Sequence, residues 1–301
     1  FRNYIQWLRE QDIAKAAGFW RRFLKDFDPS PSLSSLLGVH PGNGSIENFQ
    51  EQGTSLSEGS TARLQTLSRQ CQLTLNTIVQ GAWALLLNRQ TGKDDVIFGV
   101  VCSGRPAQLP EVESMVGLFI NTLPMRARVG EQSNLIDWLK LLQERQAEMS
   151  QFEYTPLSQV QSWSGLPREV PLFESILVFE NYPAVTWTSA SGPELRIANV
   201  QSRERSNYPV TLWVMPEREL HLKIGYDANR LRDACIAGLL RDYQVLLEAI
   251  AVNSERNIAA VLQSCELPVE KTQGLPLAQK ETELREGRVP DFAHSARQGD
   301  V

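Results

Sequence analysis

The stretch Val116-Gly-Leu-Phe-Ile-Asn-Thr-Leu-Pro-Met-Arg126 sets one amide and one hydroxyl inside an otherwise apolar run. Leu118, Ile120 and Leu123 make it read as a strand with little solvent on either face, and Gly117 lets a backbone or a ligand approach closely. A buried amide needs partners. Periodicity alone makes Asn121 and Thr122 a satisfied polar pair in an interior strand, and the rest of the chain decides whether they serve a site instead.

Immediately upstream, Val96-Ile-Phe-Gly-Val-Val101 is rich in β-branched residues and reads as a second interior strand, closed by the turn residues Ser103-Gly104-Arg105-Pro106. Before it, residues 75–89 carry Leu75, Ile78, Val79, Ala82, Trp83, Leu85, Leu86 and Leu87, an apolar face so wide that the helix must be largely buried. Thr74 is its expected N-cap and Gly92 its expected stop. Downstream, residues 134–149 form an amphipathic helix that Tyr154-Thr-Pro-Leu157 breaks. Helix and strand in alternation predict an α/β layered domain.

Further out, Ile13, Ala16, Ala17, Trp20, Phe23 and Leu24 recur at helical spacing after a short approach from Tyr4. A Pro/Gly-rich connection around His40 leads to a weak strand at 46–54 and a helix at 58–71 marked by Leu64, Leu67 and Cys71. The last third reads as strands at 175–179, 195–200, 210–215 and 220–226, then a helix at about 233–251. Alternation puts Leu220, Leu222 and Ile224 on one strand face and His221 with Lys223 on the other. Residues 258–301 read as a linker or disordered tail, so the domain is expected to span 1–257.

The 301 residues are 42% hydrophobic and 22% charged, which allows a substantial core, and the net charge of -5 gives no general drive towards nucleic acid or an anionic membrane. Cys71, Cys102, Cys235 and Cys265 lie far apart without a Cys-x-x-Cys pair, so neither a zinc site nor a disulfide framework is expected, and reduced thiols suit a cytoplasmic setting. No apolar run approaches the ~20 residues that span a bilayer. The abrupt start at Phe1 suggests a piece of a longer polypeptide. No Gly-x-Ser-x-Gly, phosphate-binding loop or His-Glu-x-x-His occurs, and none of His40, His221 and His294 sits where a general base is expected.

Seven segments in order carry a resemblance. Phe1-Arg-Asn-Tyr-Ile-Gln-Trp-Leu8, Leu75-Asn-Thr-Ile-Val-Gln-Gly-Ala-Trp-Ala84, Val101-Cys-Ser-Gly-Arg-Pro106 and the opening stretch are followed by Tyr154-Thr-Pro-Leu157, Pro171-Leu-Phe-Glu-Ser-Ile-Leu-Val-Phe-Glu-Asn-Tyr-Pro183 and Arg203-Glu-Arg-Ser-Asn-Tyr-Pro-Val210. Together they resemble the condensation domain of non-ribosomal peptide synthetases, in its later, C-terminal half. The resemblance implies a chloramphenicol acetyltransferase-like α/β fold, a mixed sheet with helices packed on it, forming half of a V-shaped tunnel. It implies amide formation between a donor acyl thioester and an acceptor amine, both carried on phosphopantetheine arms of carrier domains, with no cofactor or metal bound by the chain itself. The family's His-His-x-x-x-Asp-Gly motif is not in this sequence, so no catalytic residue is assigned here and the chain alone is expected to be inactive.

The positions that the resemblance marks are Ser103, Arg105, Gly117, Asn121 and Thr122 as the tunnel wall, with Arg105 expected to reach the Asp of the absent motif. Arg203, Ser206 and Asn207 are expected in support. Expected partners are the earlier half of the same domain, through loops at 103–115 and 151–172, and the flanking carrier domains, with neither nucleic acid nor membrane. An epimerisation or heterocyclisation relative, or a non-catalytic docking domain of the same fold, is the alternative.

Overall fold

The computed structural model describes residues 1–29, 48–180 and 204–265. All of them belong to one compact unit, Phe1–Pro268. Six strands, β1 (Phe49–Leu56), β2 (Asp95–Cys102), β3 (Asn121–Arg128), β4 (Ser175–Phe179), β5 (Val210–Pro216) and β6 (Leu220–Asp227), form one sheet in the order β1-β6-β5-β4-β2-β3. β4 runs parallel to both β2 and β5, and every other pair is antiparallel. The parallel step from β2 to β4 needs a long crossover. It is made through β3 and two helices, α5 (Leu135–Ser150) and α6 (Leu157–Trp163). Central β5 is buried from Val210 to Val214, as its near-continuous apolar sequence requires.

The sheet is covered by helices whose sequences fix how deep they lie. In α4 (Leu75–Thr91) every residue from Thr77 to Asn88 is buried, so it is an interior helix, packed on β2 and between α5 and α7 (Asp233–Val252). Its ends follow local chemistry. The Thr74 hydroxyl accepts from the Thr77 amide at 3.0 Å, and Gly92 closes the helix. Trp83 meets Tyr243 edge-on at 5.6 Å and donates to Ser175 Oγ at 3.3 Å, joining α4, α7 and β4. Further helices are α2 (Ile13–Phe23), capped by Asp12, and α3 (Glu58–Cys71), capped by Ser57.

Arg126 on β3 is 3% exposed and grips Asp95 on β2 with Nε at 2.8 Å and with Nη2. Its Nη1 donates to Phe23 O and Lys25 O at 2.8 Å each, at the C-terminal end of α2. A buried charge is tolerated only when paired and hydrogen-bonded in this manner. The sequence pattern, which put Arg126 at the end of an apolar run, gave it no such part.

Most expected elements coincide with observed ones. The strand expected at 195–200 lies outside the described residues. Three expectations differ. Residues before α2 form a helix of their own, α1 (Arg2–Arg9), because Tyr4 turns inward. The packed body also continues past residue 257: α8 (Ile258–Ser264) is capped by Asn257 and buries Ile258 and Val261. The third difference concerns the opening stretch. The strand begins only at Asn121, opposite Cys102, and residues 116–120 pair with no strand among the described residues. Val116, Leu118 and Ile120 are 92%, 80% and 57% exposed, where the apolar run predicts burial. The cause is local. β2, the strand beside β3, ends at Cys102 and turns off through Gly104, so β2 does not continue the ladder beyond Asn121.

Candidate functional site

The chemistry-bearing residues expected from the sequence converge where β2 ends and β3 begins. Gly104 makes the turn at φ +63°, and a Cβ there would lie 1.8 Å from Phe119 O, so only glycine fits. Arg105 follows, and its Nη1 donates to Val112 O and, at 3.0 Å, to Met115 O. Its guanidinium carbon lies 4.2 Å from the centre of the Phe119 ring, a cation–π contact that fixes the plane of the group. Arg105 is thus a staple for its own loop.

Asn121 is equally committed. Its Nδ2 donates to Glu153 O and Thr155 O, each at 2.8 Å, and its Oδ1 accepts from the Thr122 amide at 2.9 Å. Both amide hydrogens go to backbone carbonyls of the α5–α6 connection, so in this arrangement the side chain is a clamp between that loop and β3. Thr122 sits opposite Val101 and is half-buried. Ser103 is exposed, its Oγ accepting from the Arg105 amide at 3.4 Å. At Gly117 a Cβ would stand 2.1 Å from the Phe1 ring. The close approach that this glycine permits is made by the chain's own first residue.

One group at this place escaped the sequence reading. Burial pushes the Glu153 pKa up, opposed by the neighbouring Cys102 thiol and Gly104 amide. Burial and the neighbouring Glu153 in turn push the Cys102 thiol well above its usual range, and the same two causes raise the Tyr4 phenol. The available signal was position, an acidic residue just before the Tyr-Thr-Pro break; the sequence does not say that the break folds back on Gly104.

Around these groups lies a second, small apolar cluster of Tyr4, Val112 and Phe119, with Ile5, Trp7, Leu8, Leu109 and Met115 against it. Tyr4 tilts over Phe119 at 4.6 Å and stacks on Trp7 at 5.9 Å, and Trp7 meets Tyr154 edge-on at 5.9 Å. The aromatic segment at the start of the chain therefore braces the loop that Arg105 staples.

Ser206 and Asn207 are not part of this assembly. Ser206 Oγ bonds Thr211 Oγ1 and accepts from the Tyr208 amide at 3.2 Å, and Tyr208 stacks on Phe173 at 5.3 Å. These contacts hold the segment at the start of β5, beside the middle of β2 through β4. Arg203 lies outside the described residues. Among the described residues the single histidine, His221, points to Glu217 with 3.8 Å between Nε2 and Oε2. No group of three His, Cys, Asp or Glu could hold a metal ion among the described residues, and no helix there is long and apolar enough to cross a membrane. Arg105 Nη1 and both Asn121 amide hydrogens are thus committed to the chain's own backbone carbonyls, and Glu153 lies beside Gly104 and Cys102.

The Condensation domain family model matches residues 1–266. A linear gramicidin synthase from Brevibacillus parabrevis contains a stretch 44% identical over 258 residues, which is 86% of this chain and 5% of that protein. The chain thus spans a small fraction of the length of the curated relatives it matches. Among solved structures, a four-domain nonribosomal peptide synthetase, holo-AB3403, aligns with TM-score 0.70 at 17% identity over 83% of this chain and 20% of that one. The condensation domain from the Monacolin K polyketide synthase MokA aligns with TM-score 0.66 at 17% identity over 85% of this chain and 61% of that one. With the family model running through both the Gly104–Arg105 turn and the Asn121 clamp, the chain belongs to the condensation domain family.

Proposed function

We propose that this chain supplies the later part of a condensation domain that forms amide bonds in non-ribosomal peptide assembly. The observation that carries the reading is the family match across residues 1–266, together with the convergence of Ser103, Gly104, Arg105 and Asn121 at one end of β2. In this reading two carrier domains present a donor acyl thioester and an acceptor amine on phosphopantetheine arms. The amine nitrogen attacks the thioester carbonyl, the C–N bond forms and the C–S bond breaks. The ammonium proton of the adduct passes to a base, which gives it to the departing thiolate, so that the thiol is released and the base is restored.

This chain's contribution is the wall. The Arg105 staple and the Asn121 clamp hold the loops at 103–119 and 151–156 in fixed positions, so that a tunnel built against them keeps its width. The proton acceptor belongs to the earlier part of the domain, which carries the His-His-x-x-x-Asp-Gly motif in this family. The 61% coverage of the MokA condensation domain supports the assignment to one part of such a domain. Amide formation from two loaded carrier domains, followed by mass spectrometry, tests it. The polypeptide joining this chain to the earlier part turns over and the 301-residue chain does not; product from the chain alone overturns the reading.

A second reading, a non-catalytic docking domain of the same fold, draws support from Asn121, whose amide hydrogens both go to the chain's own carbonyls. An intact polypeptide that binds both carriers and makes no amide selects it.

A further inference from the structure

On α5, Trp138, Leu142 and Met149 are buried at the spacing of one helix face, and Arg145 occupies the remaining place on that face. A charge at a core-facing position needs a partner. Among the described residues the half-buried Arg145 makes no hydrogen bond and no close ion pair. Burial lowers the pKa of its guanidinium, Arg128 and Arg126 add to that, and Asp95 and Glu148 oppose it.

Both of those carboxylates are already in use. Asp95 takes Nε and Nη2 of Arg126 and stands 3.4 Å from Arg128 Nε, and Glu148 stands 4.0 Å from Arg22 Nη2. Arg22, Arg126, Arg128 and Arg145 therefore share two carboxylates, an excess of two positive charges. Arg126 also has its Nη1 on two backbone carbonyls, so its donors are spent. Arg128 uses Nε alone, and its two Nη groups meet no acceptor among the described residues. The Trp138 indole donates to Arg128 O at 2.7 Å, which holds the end of β3 against the face of α5 that carries Arg145.

We propose that Arg128 and Arg145 form a binding site for a doubly charged oxyanion of the phosphate class, where the end of β3 meets α5. The charge of such a group equals the excess that the four arginines leave, and its oxygens offer acceptors to two guanidinium forks at once. A single carboxylate would offset half of that charge. The site lies at the other end of β3 from Asn121, away from the loops that Arg105 and Asn121 hold.

Calorimetric titration of the 301-residue chain with inorganic phosphate, at an ionic strength held constant with sodium chloride, tests the site. Phosphate binds saturably, and Arg145→Met and Arg128→Met each weaken it at least about tenfold. Arg230→Met, at an exposed arginine just after β6 towards the opposite edge of the sheet, leaves it unchanged. Sulfate competes with phosphate, and acetate binds at least about tenfold more weakly. Tighter binding of glycerol phosphate than of inorganic phosphate assigns the site to a phosphate ester, and the reverse assigns it to the free ion; either supports it. Absence of saturable binding overturns the proposal, as does an equal loss in all three variants or acetate bound as tightly as phosphate. Arg128 is largely exposed, so its variant decides even where Arg145→Met fails to fold.

Discussion

The core around α4 and the small cluster around Phe119 are built on different principles. The first is redundant: Trp83 is held by Tyr243, Ser175 and a helix buried along twelve consecutive residues, so many side chains specify the same arrangement. The second rests on three buried apolar residues, one guanidinium and one glycine that admits no Cβ. A redundant core tolerates adjustment at any one position and fails as a whole. The small cluster fails locally, and it carries the first family segment and the start of the opening stretch, while Leu75–Ala84 belongs to the large core. Stability in this chain is thus stored in one place and the shape of the site in another.

The largest expected effect probes that division. Trp83→Ala removes a fully buried ring and costs about 4 kcal/mol, read as a lower urea midpoint for the whole chain. Phe119→Ala leaves that midpoint nearly unchanged and instead speeds amide exchange in residues 1–9 and 104–119, because only the satellite cluster opens. Equal loss of the global midpoint by both variants breaks the comparison.

A smaller effect sharpens it. Asn121→Ala leaves the carbonyls of Glu153 and Thr155 without their donor and costs about 1–2 kcal/mol. The expected signature is faster exchange in residues 151–156 with β3 unaffected.

The smallest effect is a pH dependence. Burial raises the Glu153 pKa, so the folded chain keeps that proton to a higher pH than the unfolded chain does. The contribution is fully present below the ordinary value of 4.5 and is lost as pH rises through the raised one. Glu153→Gln removes the titration while keeping an acceptor for Gly104. Denaturation midpoints measured from about pH 4 to about pH 7 fall less in the variant than in the wild type; identical slopes place the dependence elsewhere.

Sequence periodicity read the large core well for a physical reason. Residues 75–89 carry a very wide apolar face and 210–215 are nearly all apolar, and deep burial is what such composition requires. The family resemblance singled out Arg105 and Asn121, which the fold brings to the same end of β2. Neither could say what those side chains hold, since their partners are backbone carbonyls, which no residue type announces. Apolarity also misled at Leu118, which is 80% exposed because β2 ends at Cys102 and offers no partner to the residues before Asn121. Glu153 was invisible for a different reason: its burial beside Gly104 depends on a loop closing from 49 residues away along the chain.

The Arg126 contacts bear on where this polypeptide can be divided. A shortened chain that began at residue 48 would keep all six strands and every residue of α4, and by strand content it would look like a whole unit. It would nonetheless lose Phe23 O and Lys25 O, leaving Nη1 of a nearly inaccessible guanidinium facing no acceptor on the strand that begins with Asn121. In recombining such domains, the first 25 residues travel with the sheet.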